Sequence, residues 1–168
     1  KFTLLNYRNH RKLVVIDGRV AYTGGMNLAE RYRWGNRLGL WRDTFVRVEG
    51  PAVYSMQYSF LVDWSFVDGR VVTDKKYYPE VPYFEDGEKV QVVTSGPDSD
   101  WCSIMHGVVS AISKAEKEIL IHTPYYMPPE PVMNALETAA LSGVRVRVMI
   151  PERNDSKVVA AAGRSYIE

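Results

Sequence analysis

The chain has 168 residues, 46% of them hydrophobic, with Trp 4, Tyr 11 and Phe 5, enough to bury a core of ordinary size in one or two modules. Lys+Arg 21 against Asp+Glu 20 leaves a net charge of +1, which excludes a global field drawing the chain to nucleic acid or an anionic membrane, so any anion site must be local. One cysteine, Cys102, excludes an internal disulfide; no Cys/His cluster has metal-ligand spacing, so no metal or cofactor is expected; and no signal peptide or apolar run of the roughly 18 to 20 residues that span a bilayer is visible.

Residues 1 to 5, Lys-Phe-Thr-Leu-Leu, open in a strand-like pattern. Residues 8 to 27 then read as a hairpin turning at Asp17-Gly18, because both central positions of a type I′ turn require φ > 0 and an Asp-Gly pair tolerates it. Counting outward from a two-residue turn pairs Ile16 with Arg19, Val14 with Ala21, Lys12 with Thr23 and His10 with Gly25. Alternation then places His10, Lys12, Thr23, Gly25 and Asn27 on one face. An imidazole, an ammonium, a hydroxyl and a carboxamide around a position without a side chain suit a phosphate ester. The imidazole attacks phosphorus or protonates a leaving oxygen, the lysine and amide hold the anionic oxygens, and Gly25 leaves room for the phosphoryl group. Asp17 lies five residues from Lys12, on the order of 16 Å at about 3.3 Å per residue, so it is expected to form the turn and not to share a small substrate with His10. Taken singly, a histidine in a strand is a surface or satisfied core residue by default; the shared face is what argues for chemistry.

Residues 27 to 33 read as a turn or short helix and residues 33 to 39 as a Gly-bearing loop. Residues 41 to 48 alternate as a strand with Trp41, Asp43, Phe45 and Arg47 on one side. A carboxylate there could orient a catalytic histidine through its other ring nitrogen; a plain ion pair of Asp43 with Arg42, Arg47 or Lys12 is the competing reading. Gly50-Pro51 opens a helix whose Val53, Met56, Phe60, Leu61 and Trp64 fall at helical spacing and are core by default. Residues 68 to 89 read as a linker with a short strand at 71 to 73.

Beyond it the rhythm changes to strand-helix alternation: a strand at 90 to 93, a helix capped by Asp100 with Trp101, Ile104, Val108, Ile112 and Ala115 on its apolar stripe, a strand at 118 to 123, a helix at 129 to 141, a strand at 144 to 150 and a last helix from 156. Such alternation implies parallel βαβ units. His122 falls at the C-terminal end of a parallel strand, where ligands of open α/β sheets lie, but no lysine follows two positions on. His106 lies off its helix stripe and is expected in solvent. Ser95-Gly96-Pro97-Asp98 reads as an anion-facing loop or a plain turn.

His10-x-Lys12, four residues, Asp17, then six residues to Gly24-Gly25-x-Asn27 resembles the HKD signature of the phospholipase D superfamily. Asn6-Tyr7-Arg8-Asn9-His10-Arg11-Lys12, Trp41-Arg42-Asp43-Thr44, Glu49-Gly50-Pro51-Ala52-Val53, Ser95-Gly96-Pro97-Asp98 and Thr123-Pro124-Tyr125-Tyr126 are similar to bacterial cardiolipin synthases of that type. The resemblance implies an α/β fold with a phospholipase D-like mixed sheet flanked by helices. Residues 1 to 67 would be the C-terminal half of one unit, residues 68 to 89 a linker and residues 90 to 168 the N-terminal half of the next. It implies His10, Lys12 and Asp43 as catalytic residues, Asn27 as a holder of phosphate oxygens, and Asp17, Gly18 and Gly24 as structural parts of the motif; Gly25 and Thr23, from the hairpin register, and His122, from its strand-end position, are the further substrate-binding candidates. The implied reaction is phosphatidyl transfer between two phosphatidylglycerol molecules through a phosphohistidine, giving cardiolipin and glycerol.

The resemblance further implies hydrophobic N-terminal segments that anchor a longer protein in the bacterial membrane, and a second HKD motif beyond residue 168, so the chain by itself is expected to be soluble and inactive. A phospholipase D type hydrolase or nuclease, or a non-catalytic lipid- or partner-binding module, are the alternatives, the nuclease weakened by the near-zero charge, which argues against a nucleic-acid partner. Two further arrangements stay open: the halves complementing each other as a permuted single unit, and an isologous homodimer pairing two His10 side chains.

Overall fold

The computed structural model describes residues 9 to 96 and 99 to 167, so the strand expected at residues 1 to 5 and Pro97-Asp98 lie outside the described residues. The chain divides into two compact units, Lys1–Thr94 and Ser95–Glu168.

In the first unit, β1 (Leu13–Ile16), β2 (Val20–Gly24) and β3 (Phe45–Glu49) form an antiparallel sheet in the order β1-β2-β3. The short helix α1 (Arg31–Trp34) lies between β2 and β3 in sequence, and the long helix α2 (Ala52–Asp68) follows β3. The expected turn is present: Asp17 and Gly18 take φ of 53° and 65°, and the Arg19 N–H donates to the Ile16 carbonyl at 3.0 Å. The register is not the expected one. Ile16 pairs with Val20, Val15 with Ala21 and Leu13 with Thr23, because Arg19 is an extra, bulged residue between turn and ladder. A one-residue slip changes which side chains share a face. What decides it is Ala21, fully buried against Val53 and Met56 of α2, with Leu13, Val15, Val48 and Val92 packed around them.

Pro51 caps α2 after Gly50, and Gly69 at φ 71° ends the helix with its N–H on the Ser65 carbonyl. Val53, Met56 and Leu61 of the expected stripe are buried, whereas Phe60 and Trp64 are exposed and stack on each other at 6.0 Å. The stretch expected as a linker packs back on this unit: Tyr54 donates its hydroxyl to the Pro79 carbonyl at 2.6 Å, Pro79 sits against Gly18, and Phe84 lies against Gly50. It holds a 3₁₀ turn at Lys75–Tyr77, and the strands expected at 71 to 73 and 90 to 93 do not form; Val92 instead joins the core of this unit.

The second unit runs α3 (Ser103–Ser113), β4 (Glu118–His122), α4 (Glu130–Leu141), β5 (Arg145–Met149) and α5 (Lys157–Arg164), with β4 and β5 parallel as the alternation implies. Gly143 at φ 92° follows the end of α4, and the Ser156 hydroxyl caps α5 by accepting the Val159 N–H. The cap of α3 is Cys102 with no side-chain bond, not Asp100, and of the expected stripe only Ile112 is buried, in a core with Leu136, Ala139 and Val144. Trp101, Ile104 and Val108 are exposed. The molecule is thus mixed α/β, with small sheets flanked by helices. Among the described residues the sheets β1-β2-β3 and β4-β5 are separate, and each unit has its own buried cluster.

Candidate active site

The stretch carrying His10 and Lys12 runs into β1 but has no ladder partner of its own among the described residues, since pairing begins at Leu13. His10 is exposed and Lys12 half-buried. The Lys12 ammonium lies 2.8 Å from His10 Nε2 and donates at 2.8 Å to the His10 carbonyl. An ammonium has donors only, so its contact with Nε2 requires the lone pair there and places the ring proton on Nδ1. In this arrangement the ammonium is the immediate neighbour of the imidazole ring.

With the observed register, Leu13, Val15, Ala21 and Thr23 share the core-directed face, and Lys12 falls by alternation with Val14 and Tyr22 on the other. Thr23 is thus not beside Lys12, a consequence of the bulged Arg19. Gly24 and Gly25 are required for the approach of the segment leading into β3: a Cβ on Gly24 would run into the Thr44 carbonyl, and one on Gly25 into the Asp43 carboxylate, with Cγ only 2.9 Å away. The space over Gly25 is accordingly filled by Asp43. Asp43 precedes β3, which begins at Phe45, so it is not a strand residue as expected. Its Oδ1 accepts the Thr44 N–H at 2.7 Å, while the Gly25 N–H donates to the Thr44 carbonyl at 3.2 Å. Among the described residues Asp43 makes neither a hydrogen bond to His10 nor an ion pair with Lys12, Arg42 or Arg47; Arg47 donates to the Tyr22 hydroxyl, which raises its pKa, and pairs with Glu49, which adds to the rise.

Asn27 is half-buried and its amide reaches the Tyr32 hydroxyl at 3.4 Å. Tyr32 meets Trp41 edge-on at 5.8 Å, and the Arg31 guanidinium covers the Trp41 ring at 4.7 Å, closing the loop between α1 and β3. Asp17 forms the turn, and Gly18 is tight for a different reason: a Cβ would lie 2.7 Å from Pro79 Cδ and 2.8 Å from the Tyr77 carbonyl. His122, in the second unit, ends β4 beside Met149 and lines an open recess with Leu120, Arg147 and Ile150.

Sequence reasoning missed Asp63. This α2 carboxylate receives Arg11 Nη1 at 2.6 and 2.7 Å and Asn9 Nδ2 at 2.7 Å. The available signal was an aspartate seven residues after Met56, two turns along the same helix face, in a helix whose other residues are almost all uncharged.

Residues 108 to 168 match the family described as cardiolipin synthase, PLD-like domain. The chain is 44% identical over 165 residues to a cardiolipin synthase of Listeria monocytogenes serotype 4a, covering 96% of this chain and 34% of the relative. It is 44% identical over 169 residues to the major cardiolipin synthase ClsA of Bacillus subtilis, covering 97% and 34%. A cardiolipin synthase of Geobacillus is 40% identical over 164 residues, covering 96% and 33%. The chain thus spans about a third of the length of the curated relatives it matches.

Proposed function

We propose a function from one premise: this chain belongs to the phospholipase D superfamily, in its cardiolipin synthase group. The reading is that it supplies one half of the active site of a longer phosphatidyltransferase. In the reaction, a histidine nitrogen attacks the phosphorus of one phosphatidylglycerol; the N–P bond forms, the P–O bond to glycerol breaks, and the glycerol oxygen takes a proton from a second histidine. The hydroxyl of another phosphatidylglycerol then attacks phosphorus, returns its proton to that second histidine, and leaves as cardiolipin while the first imidazole is released.

The observation that carries this reading is the contact of Lys12 Nζ with His10 Nε2 at 2.8 Å. It holds a cation beside the imidazole, where phosphate oxygens arrive. On substrate binding the ammonium transfers from the ring to a phosphate oxygen, where negative charge grows in the transition state. His10 serves as nucleophile or as the acid for the leaving glycerol, its counterpart coming from a second His-x-Lys elsewhere in the longer protein. Asn27 holds a phosphate oxygen after releasing Tyr32. Asp43 acts on the site by filling the space over Gly25 and fixing the backbone next to it. The longer protein works at the bacterial membrane, where its substrate resides; among the described residues no helix is long and apolar enough to cross one.

The test is cardiolipin and glycerol release by the full-length protein on phosphatidylglycerol vesicles. His10→Ala should abolish it, and Lys12→Ala should lower kcat by about 10²–10³, the usual cost of one charge-stabilising donor. Full turnover with His10→Ala overturns the reading. Phosphatidic acid as the main product moves the assignment to a hydrolase, and robust cardiolipin formation by the 168-residue chain alone refutes the half-site.

A further inference from the structure

We infer that Asp63 of α2 is the positioning residue of the His10 site, acting through the two residues that flank the histidine; this rests on His10 being the reactive imidazole. Among the described residues, 9 to 12 have no ladder partner, since pairing starts at Leu13. Their fixed points are side chains. Asn9 donates to Asp63 Oδ2 at 2.7 Å, Arg11 donates from one Nη1 to both carboxylate oxygens at 2.6 and 2.7 Å, and the Arg11 backbone N–H closes on Asn9 Oδ1 at 2.9 Å. His10 sits between these anchors as the apex of a short loop clamped on one carboxylate.

The clamp is coupled to the fold through α2. Met56 and Val53 of this helix pack on Ala21, Leu13 and Val15, so the helix is docked on the hairpin. Two turns beyond Met56, on the same face, Asp63 reaches the chain just before β1. Asp63 thereby sets where His10 stands relative to the hairpin without touching substrate itself. The clamp is partly exposed, 37% for Arg11 and 33% for Asp63, so it contributes modestly to stability while determining geometry. Displacing a reacting group by about 1 Å costs on the order of a hundredfold in rate, which is the scale available to this contact.

The experiment is steady-state phosphatidyl transfer by the full-length protein carrying Asp63→Ala, Arg11→Ala and the double substitution, with His10→Ala and Val53→Ala as comparisons. Asp63→Ala should lower kcat by about 10- to 100-fold, because the imidazole and the Lys12 ammonium beside it both lose their position. Arg11→Ala should do the same, and the double variant should be no slower than the slower single, since both remove one clamp. Asp63→Glu, which keeps the charge, should recover part of the rate. Wild-type kcat in Asp63→Ala, an effect confined to KM, or multiplicative losses in the double variant overturn the inference. An equal loss in Val53→Ala, which weakens the same helix packing without touching the clamp, also overturns it, by assigning Asp63 to stability. If His10→Ala is itself fully active, the reading of His10 has failed; if His10→Ala is silent while Asp63→Ala is normal, the clamp alone has failed.

Discussion

Gly25→Ala offers a direct reading of how tightly the segment before β3 is laid on the end of β2. A Cβ at residue 25 would lie 2.8 Å from Asp43 Oδ2 and 2.9 Å from Cγ, closer than real contacts, and would collide with Oδ1. Neither side can retreat freely. The residue 25 backbone is held by its N–H on the Thr44 carbonyl at 3.2 Å, and the carboxylate by the Thr44 N–H at 2.7 Å. The cheapest relief is rotation of Asp43 away from Thr44, which forfeits a hydrogen bond to a charged group, about 1.5–3 kcal/mol. We expect Gly25→Ala to destabilise the first unit by about 2 kcal/mol. In urea denaturation of the 168-residue chain, followed by fluorescence, that moves the midpoint down by about 1 M for a slope near 2 kcal/mol/M. In an Asp43→Ala background the added methyl meets no carboxylate, and the cost should fall below about 0.5 kcal/mol, a coupling typical of residues in contact. The same cost in both backgrounds, or no cost in either, would refute the packing of Asp43 on Gly25.

Four further outcomes follow from the same geometry. Gly107→Ala, at a helical position with open space around it, should stabilise the second unit by about 0.5–1 kcal/mol in the same denaturation assay; a loss would show that α3 is packed there. Gly18→Ala should destabilise the first unit by more than about 1 kcal/mol, since φ is 65° and the methyl meets Pro79 and the Tyr77 carbonyl, and a neutral result would contradict that packing. Val53→Ala, at a fully buried site, should cost about 2–3 kcal/mol by thermal or chemical unfolding, a value under about 0.5 kcal/mol being incompatible with the core. Asp74, whose carboxyl is held below its ordinary value by the Lys76 N–H, stabilises the turn at Lys75–Tyr77 fully above the unfolded carboxyl's pKa. That contribution is lost as pH falls through the lowered folded value, so exchange protection of the Lys76 amide should decline below the ordinary carboxyl range, and an Asp74→Asn variant with an identical pH profile refutes it.

What could be read from the sequence about this protein was local in origin. The Asp17-Gly18 turn forms because two neighbouring residues tolerate positive φ, whatever surrounds them. The long helix after Pro51, the parallel βαβ of the second unit and the stop near Gly143 follow from periodicity and caps that act over a few residues. The adjacency of His10 and Lys12 is equally local, a matter of two positions along one extended stretch.

Tertiary packing decided the rest. One bulged residue, Arg19, reversed the pairing of Thr23, and the decision lay with the burial of Ala21 against a helix some thirty residues further on, which no turn rule contains. Asp43 was readable as a carboxylate near the site, but its seat over Gly25 depends on how the segment before β3 meets β2. The strands expected at 71 to 73 and 90 to 93 had the composition of strands but find no ladder partner among the described residues, and a strand without a ladder leaves its backbone groups unpaired. The clamp of Asp63 on Asn9 and Arg11 spans more than fifty residues of sequence, so only the docking of α2 on the hairpin brings its members together.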